Sequence, residues 1–322
     1  MKPGPSSSLQ WIWIAVGLGF AALGLGLIAG SPPPVVEPVK NGAEAIVLGV
    51  DTVSHKLIVR HDADQPIVTM PPDVAATVDA NLNAGDSVWV IRDDTAVTGI
   101  ALKRIRIGWT YSVGALSLSF AVIWVGILLV TLAHPWSFAL GIDFRLSNSQ
   151  TQIYFWFVTF GTVFLAETVL RVVHVHYFGG IGAPARLLAL SGISALTFVG
   201  ARANATFKDA PGDAAAARAA GRPPPKGIPA GAIRTRWNVF LDLFTNDSVD
   251  QPNGRYDLGD FQMIVLTWAA IAMYLTDSAL NFTDLIVASH VDLPPVDDTL
   301  LGGTAVSHGA YLFKKAVSPP GR

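Results

Sequence analysis

The sequence predicts a membrane all-α bundle of about six transmembrane helices, with an internal parallel two-helix repeat and a small inserted β-barrel-like domain. Three observations carry that expectation. Of 322 residues, 51% are hydrophobic and only 14% charged, where an ordinary soluble domain has roughly a quarter of its residues charged. Uncharged or nearly uncharged runs long enough to cross about 30 Å of hydrocarbon recur along the chain. Two stretches in the C-terminal half match each other at a nearly constant spacing.

The chain opens with a polar segment, MKPGPSSS, and then the uncharged run Leu9 to Gly30. Residues 1–33 read as an N-terminal transmembrane anchor. A signal peptide is the alternative, but its apolar core is usually only about 7 to 15 residues long. Ala22, Gly26 and Gly30 recur every four residues, and Ala15 and Gly19 make a second such pair, which is the pattern that lets helix backbones approach closely.

After the stiff exit SPPPVVEP the composition turns soluble in style, and residues 34–107 read as a small extracytoplasmic β-domain. Strand patterns fall at Ala45 to Val50, Lys56 to Arg60, Ser87 to Arg92 and Ala96 to Leu102, separated by turn chemistry such as Gly85-Asp86. Residues 72–83 suggest a short helix. Several short strands in so small a segment point to a barrel of the OB or SH3-like kind. The domain holds no cluster of metal-ligating or nucleophilic side chains in sequence.

Residues 108–145 supply a second span, opening with Trp109 and Tyr111 and closing near Trp136, as interfacial aromatic belts do. Its face of Ser112, Ser119 and Gly126 is small and polar enough to contact another helix. Residues 146–203 and 256–316 each hold two further spans. At an offset of 113, Leu187-Leu188 falls on Leu300-Leu301, Ser194 on Ser307 and Arg202 on Lys315. At an offset of 110, Gln152 falls on Gln262. Both copies enter and leave on the same side, so they are parallel repeats about an axis along the membrane normal.

The motif of Gln152 followed by an aromatic or apolar residue four positions on, then Leu187-Leu188 and Gly192-Ile193-Ser194, resembles a group of uncharacterised bacterial multi-pass membrane proteins with a duplicated two-helix unit. The resemblance covers about residues 146–316 and carries no activity with it. The second copy departs from the pattern, with Leu266 in place of Trp156 and Ala305-Val306-Ser307 in place of Gly192-Ile193-Ser194.

Loop charge sets the orientation. Residues 204–255 carry Lys208, Arg218, Arg222, Lys226, Arg234, Arg236 and Arg255, and Lys314, Lys315 and Arg322 lie at the C-terminal end. Asp284, Asp292, Asp297 and Asp298 lie between the last two spans without a Lys or Arg. The positive-inside rule then places the protein in a bacterial cytoplasmic membrane with both termini, including the tail 317–322, in the cytoplasm. Lys103, Arg104 and Arg106 object, because they abut the second span on the external side. An inverted topology is the alternative. Within the basic loop, Ile233, Trp237, Phe240, Leu241 and Phe244 make one helical stripe beside Arg234 and Arg236, so residues 232–245 read as an amphipathic helix at the membrane interface or packed on a neighbouring span.

Candidate chemistry follows from the repeat. Carrying the offset of 110 forward puts Glu167 on Asp277, each 15 residues after its Gln. An ionisable group inside a span usually faces protein or water and marks an ion or proton path. The alternative is structural: Glu167 and Arg171 at i, i+4 form a self-contained ion pair, and Asp277 ends its helix in headgroups. His308 and Ser307 in the last expected span extend the same candidate path, or pack by hydrogen bonding. His174 and His176 are two residues apart, point about 200° from each other on a helix, and read as interfacial rather than as metal ligands. No metal, cofactor or nucleic-acid partner is expected, and the absence of Cys removes thiolate and disulfide chemistry. The function expected is an oligomeric membrane protein, a homo-oligomer or a subunit of a larger complex, that moves a small cation or proton. A non-conducting scaffold or sensor whose β-domain binds a partner is the alternative, and a membrane enzyme is not expected.

Overall fold

The computed structural model describes residues 7–40, 42–51, 56–60, 67–69, 82–93, 96–131, 135–139, 148–178, 180–183, 189, 245–246, 255–256 and 258–298, with isolated positions at 302, 305, 309 and 313. Among these, four helices, not six, are long and apolar enough to cross a membrane. They are α1 (Ser7–Ala29), α2 (Trp109–Val130), α3 (Asn148–Leu170) and α4 (Leu258–Asn281). The spans expected at 185–203 and 299–313 lie outside the described residues but for isolated positions; of the helices expected at 72–83 and 232–245 only 82–83 and 245 are described, and none of these is helical.

The chain forms two compact units, Met1–Gly126 with Phe160–Pro184 and Leu275–Pro295, and Ile127–Thr159 with Ala185–Tyr274 and Val296–Arg322. In the first unit, α1 and α2 meet backbone to backbone. A Cβ on Gly24 would lie 2.8 Å from Gly114 O, and one on Gly114 would lie 3.0 Å from Gly24 O. Below and beside this contact Phe20 meets Phe120, and Trp124 Nε1 donates to Trp13 O at 2.9 Å. The seam is therefore Gly17 and Gly24, seven residues apart, and not the expected series: Gly19 and Gly26 face open space, and Ala15 and Ala22 are exposed. Spacing alone could not choose between registers, because α1 offers small residues on several faces. On α2, Ser112 and Ser119 are buried as expected of a contact face, while Gly126 is exposed.

Between α1 and α2 lies a five-stranded antiparallel sheet in the order β4-β3-β2-β5-β6, built from β2 (Gly42–Asp51), β3 (Lys56–Arg60), β4 (Ile67–Thr69), β5 (Ser87–Asp93) and β6 (Ala96–Leu102). Alternation places Ala45, Val47, Leu57, Val59, Val88, Val90, Ile100 and Leu102 on one buried face, closed by Leu82 and by Ala288 from far along the chain. Four of its strands match the expected ones. The expected barrel is not closed, and the sheet keeps β4 and β6 as its edges. After β6 the chain leaves the sheet instead of returning to β4. It enters a second, three-stranded sheet in which β7 (Arg104–Arg106) pairs with β1 (Val35–Val36) and β11 (Asp284–Ile286).

That second sheet gathers three chain segments that adjoin helix ends: the exit of α1, the entry to α2 and the exit of α4. It also pairs the basic residues at this boundary with acids. Lys103 pairs with Glu44 at 2.6 Å, Arg104 with Asp284 at 2.5 Å and Arg106 with Glu37 at 3.0 Å. Each cation that contradicted the loop-charge reading has a carboxylate of its own.

In the second unit, α3 and α4 touch near their starts. Gln152 Nε2 donates to Thr267 Oγ1 at 2.9 Å, Phe155 meets Trp268, and Trp156 meets Tyr274. Partners rise together in number, so the two helices run parallel there. This unit also holds a short antiparallel pair, β9 (Thr245–Asn246) with β10 (Arg255–Tyr256). In the first unit a short parallel pair, β8 (Ile181–Gly182) with β12 (Val291–Asp292), follows the exits of α3 and α4.

Candidate functional site

Ionisable side chains buried in an apolar unit are expensive to keep, and in the first unit they gather at the end of α3. Glu167, in the last turn of α3, is 4% exposed, and Arg171, directly after α3, is 1% exposed. At Arg171 the α-helix widens into a π-turn, Arg171–Val175, which ends at His176 in the left-handed conformation (φ 58°). Such single π-turns recur at functional sites because they re-aim side chains. His is among the few non-glycine residues that tolerate this backbone region.

The guanidinium does not hydrogen-bond the carboxylate one turn before it. Arg171 Nη2 donates to Ala288 O at 2.5 Å, and its buried Nε and Nη1 have no hydrogen-bond partner among the described residues. Two carboxylates lie near enough for their fields to reach it, Glu167 first and Asp86 second. The expected pair is thus an electrostatic neighbour pair. The direct contact is with the segment that follows β11.

That segment is held from the other side by Asp86, at the turn before β5. Asp86 Oδ1 accepts the Ser289 N–H at 2.9 Å, and Oδ2 accepts the Ser289 hydroxyl at 2.9 Å and the Asn83 N–H at 2.8 Å. Val287 N–H donates to Lys103 O at 2.9 Å, and Val291 N–H donates to Gly180 O at 2.8 Å. Gly180 must be glycine on two counts: its φ is 64°, and a Cβ would collide with Ser289 O. Residues 287–291 are therefore a clasp. One peptide run joins the five-stranded sheet at Asp86, the second sheet at Lys103 and the end of α3 at Arg171 and Gly180.

The other expected site residues fare differently. Asp277 is exposed on α4, next to the buried Ser278, whereas Glu167 is buried. Gln262 is likewise exposed where Gln152 is fully buried. The buried stripe of α4 runs Met263, Thr267, Ala270, Tyr274 and Ser278, one residue out of phase with the repeat alignment. Ser307, His308, Arg234, Arg236, Trp237, Phe240 and Phe244 lie outside the described residues. His174 Nε2 lies 3.1 Å from Tyr111 Oη on α2. Among the described residues no group of three His, Asp or Glu side chains is placed to hold a metal ion.

Sequence reasoning missed Asp86, Ala288 and Ser289. Asp86 read as a turn residue after Gly85, and nothing in its neighbourhood signalled a partner some 200 positions away. The visible signal was Gly179-Gly180, which read only as a tight turn. No protein-family model, curated protein or solved structure matches the chain.

Proposed function

We propose that this is a membrane-anchored sensor or scaffold, whose β-domain engages a partner outside the membrane and is mechanically joined to the helices. The single observation that carries the reading is the clasp: Asp86 and Arg171 grip adjacent residues of one short segment, so movement of the β-domain is felt at the end of α3. A carboxylate bonded three times and a buried arginine bonded to a main-chain carbonyl suit a device that fixes geometry. The outer face of the sheet supplies a surface for a partner, since Ile46, Leu48 and Ile58 are each more than a third exposed there.

The proposed setting is the bacterial cytoplasmic membrane, with both termini inside and residues 34–107 outside. Support comes from the basic residues of 204–255 and from the acidic segment 284–298, which has no Lys or Arg. Assembly into a homo-oligomer or membrane complex is part of the proposal. An exposed carboxylate, Asp277, inside the apolar run Phe261–Asn281 favours a covering protein surface over lipid.

A second reading, movement of a small cation or proton through the helices, draws on the burial of Glu167 in α3. Liposomes containing the full chain separate the two. The sensor reading predicts that K⁺, Na⁺ and H⁺ leak no faster than from empty liposomes at any applied voltage. Flux that disappears in Glu167→Gln would replace it with the ion-handling reading.

A further inference from the structure

Beside the clasp, α1, α2 and α3 enclose a cleft of about 310 Å³ within the first unit. That volume falls at the lower end of the range for ligand pockets, roughly 300 to 1,000 Å³. Its walls run from Tyr111 to Val122 on α2 and from Leu165 to His174 on α3, with Ile28 of α1 at the Tyr111 end. The eleven steps from Tyr111 to Val122 rise about 16 Å at about 1.5 Å each. This is half of a hydrocarbon core of about 30 Å, so the cleft has the depth of one leaflet.

Its polarity is equally one-sided. Ala115, Val169 and their neighbours make the walls apolar, and Ser119 adds one hydroxyl midway. The other polar groups are Tyr111 Oη and His174 Nε2, 3.1 Å apart, in the first turn of α2 and the last turn after α3. With the proton on Nε2, His174 donates to Tyr111, whose own O–H is then free to donate outward. Val122, Val169 and Val173 are 55%, 42% and 50% exposed, so the rim opens sideways, towards what surrounds the helices. A water chain would find hardly any partner along such walls.

We propose that this cleft binds one acyl chain of a glycerophospholipid from the leaflet on the β-domain side, with the ester carbonyl accepting the Tyr111 O–H. The chain lies along α2 and α3, its polar end beside the π-turn that carries Arg171. The β-domain junction would then be sensitive to the lipid seated next to it.

The full chain in nanodiscs of phosphatidylcholine and phosphatidylglycerol, doped with a phosphatidylcholine bearing a photoactivatable diazirine on its acyl chain, tests this. After irradiation, adducts on 115–122 and 165–173 should exceed those on the exposed α4 residues Val265, Trp268 and Met273 several-fold. Val169→Trp and, separately, Val122→Trp fill the cleft from different helices. Each should bring cleft labelling down to the α4 level and leave α4 labelling unchanged, and having two variants covers the case in which one fails to fold. Equal labelling of both surfaces in the unsubstituted protein would overturn the proposal, as would cleft labelling that survives a folded filling variant.

Discussion

Arg171 and Ala288 stand 117 positions apart in sequence, yet Arg171 Nη2 donates to Ala288 O at 2.5 Å. The adjoining Ser289 gives both its N–H and its hydroxyl to Asp86. Two charged side chains, one from the end of a long apolar helix and one from the β-domain, thus hold neighbouring residues of the same connector. The connector's own register depends on Gly180 and Gly182 beside it.

Removing the guanidinium leaves Ala288 O without its donor and Glu167 without its nearest cation. Arg171→Met should therefore lower stability by about 3 to 5 kcal/mol, the usual cost of breaking one member of a buried charge pair. Pairing it with Glu167→Gln should recover part of that loss, with a coupling of about 0.5 to 3 kcal/mol. Thermal unfolding of the four proteins in nanodiscs checks this, and strictly additive losses would show that the two side chains do not interact.

The glycines give a contrast with an internal control. Gly180→Ala forces a Cβ into Ser289 O at a positive φ, so the loss should exceed the roughly 1 to 3 kcal/mol of an ordinary strained position. Gly24→Ala should part α1 from α2, because its Cβ would lie 2.8 Å from Gly114 O. Gly26→Ala, two residues along the same helix, meets nothing within 4 Å and should be neutral or slightly stabilising. Equal effects at Gly24 and Gly26 would contradict the helix register described.

Acid should weaken one contact between sheet and membrane boundary. The Lys103 ammonium, bonded at 2.6 Å, holds the Glu44 carboxyl below its ordinary value of 4.5, with help from Ser87. A depressed folded-state value means the contact's contribution is complete above 4.5 and is lost as pH falls through the lower folded value. Glu44 is 50% exposed, so solvent screening keeps the amount below about 1 kcal/mol. Glu44→Gln should remove that part of the acid dependence and leave stability near pH 7 lower by the same small amount.

The apolar outer face of the sheet should be the partner surface. Ile46→Glu and Ile58→Glu alter exposed positions, so each should change stability by no more than about 0.5 kcal/mol. Photocrosslinking from Leu48 in intact cells should give a defined adduct that both substitutions abolish. An adduct unchanged by either would move the partner surface elsewhere.

How much of this the sequence disclosed differs from element to element. The strands at Ala45, Lys56, Ser87 and Ala96 were legible because period-two alternation is local. The four long helices were legible because apolar length is local too. The barrel was not, since closure depends on whether the chain after Leu102 returns to β4, and Arg104 to Arg106 pairs instead with Asp284 to Ile286. Glu167, which the sequence marks as an ionisable group within an apolar run, is buried, but its expected counterpart Asp277 sits one residue out of phase with the buried stripe of α4. A one-residue shift on a helix is about 100°, which an alignment of apolar repeats cannot resolve. Asp86 was illegible as a site residue, because its partner is a main-chain N–H and a serine hydroxyl rather than a side chain with its own signature.

The β-domain and the end of α3 are joined through residues 287–291. Hydrogen exchange of the full chain in nanodiscs, read by mass spectrometry for Asp86→Asn against the unsubstituted protein, tests this joint. Exchange should be faster in 286–293 and also in 168–178, across the π-turn. Faster exchange confined to 82–87, with 168–178 unchanged, would contradict it.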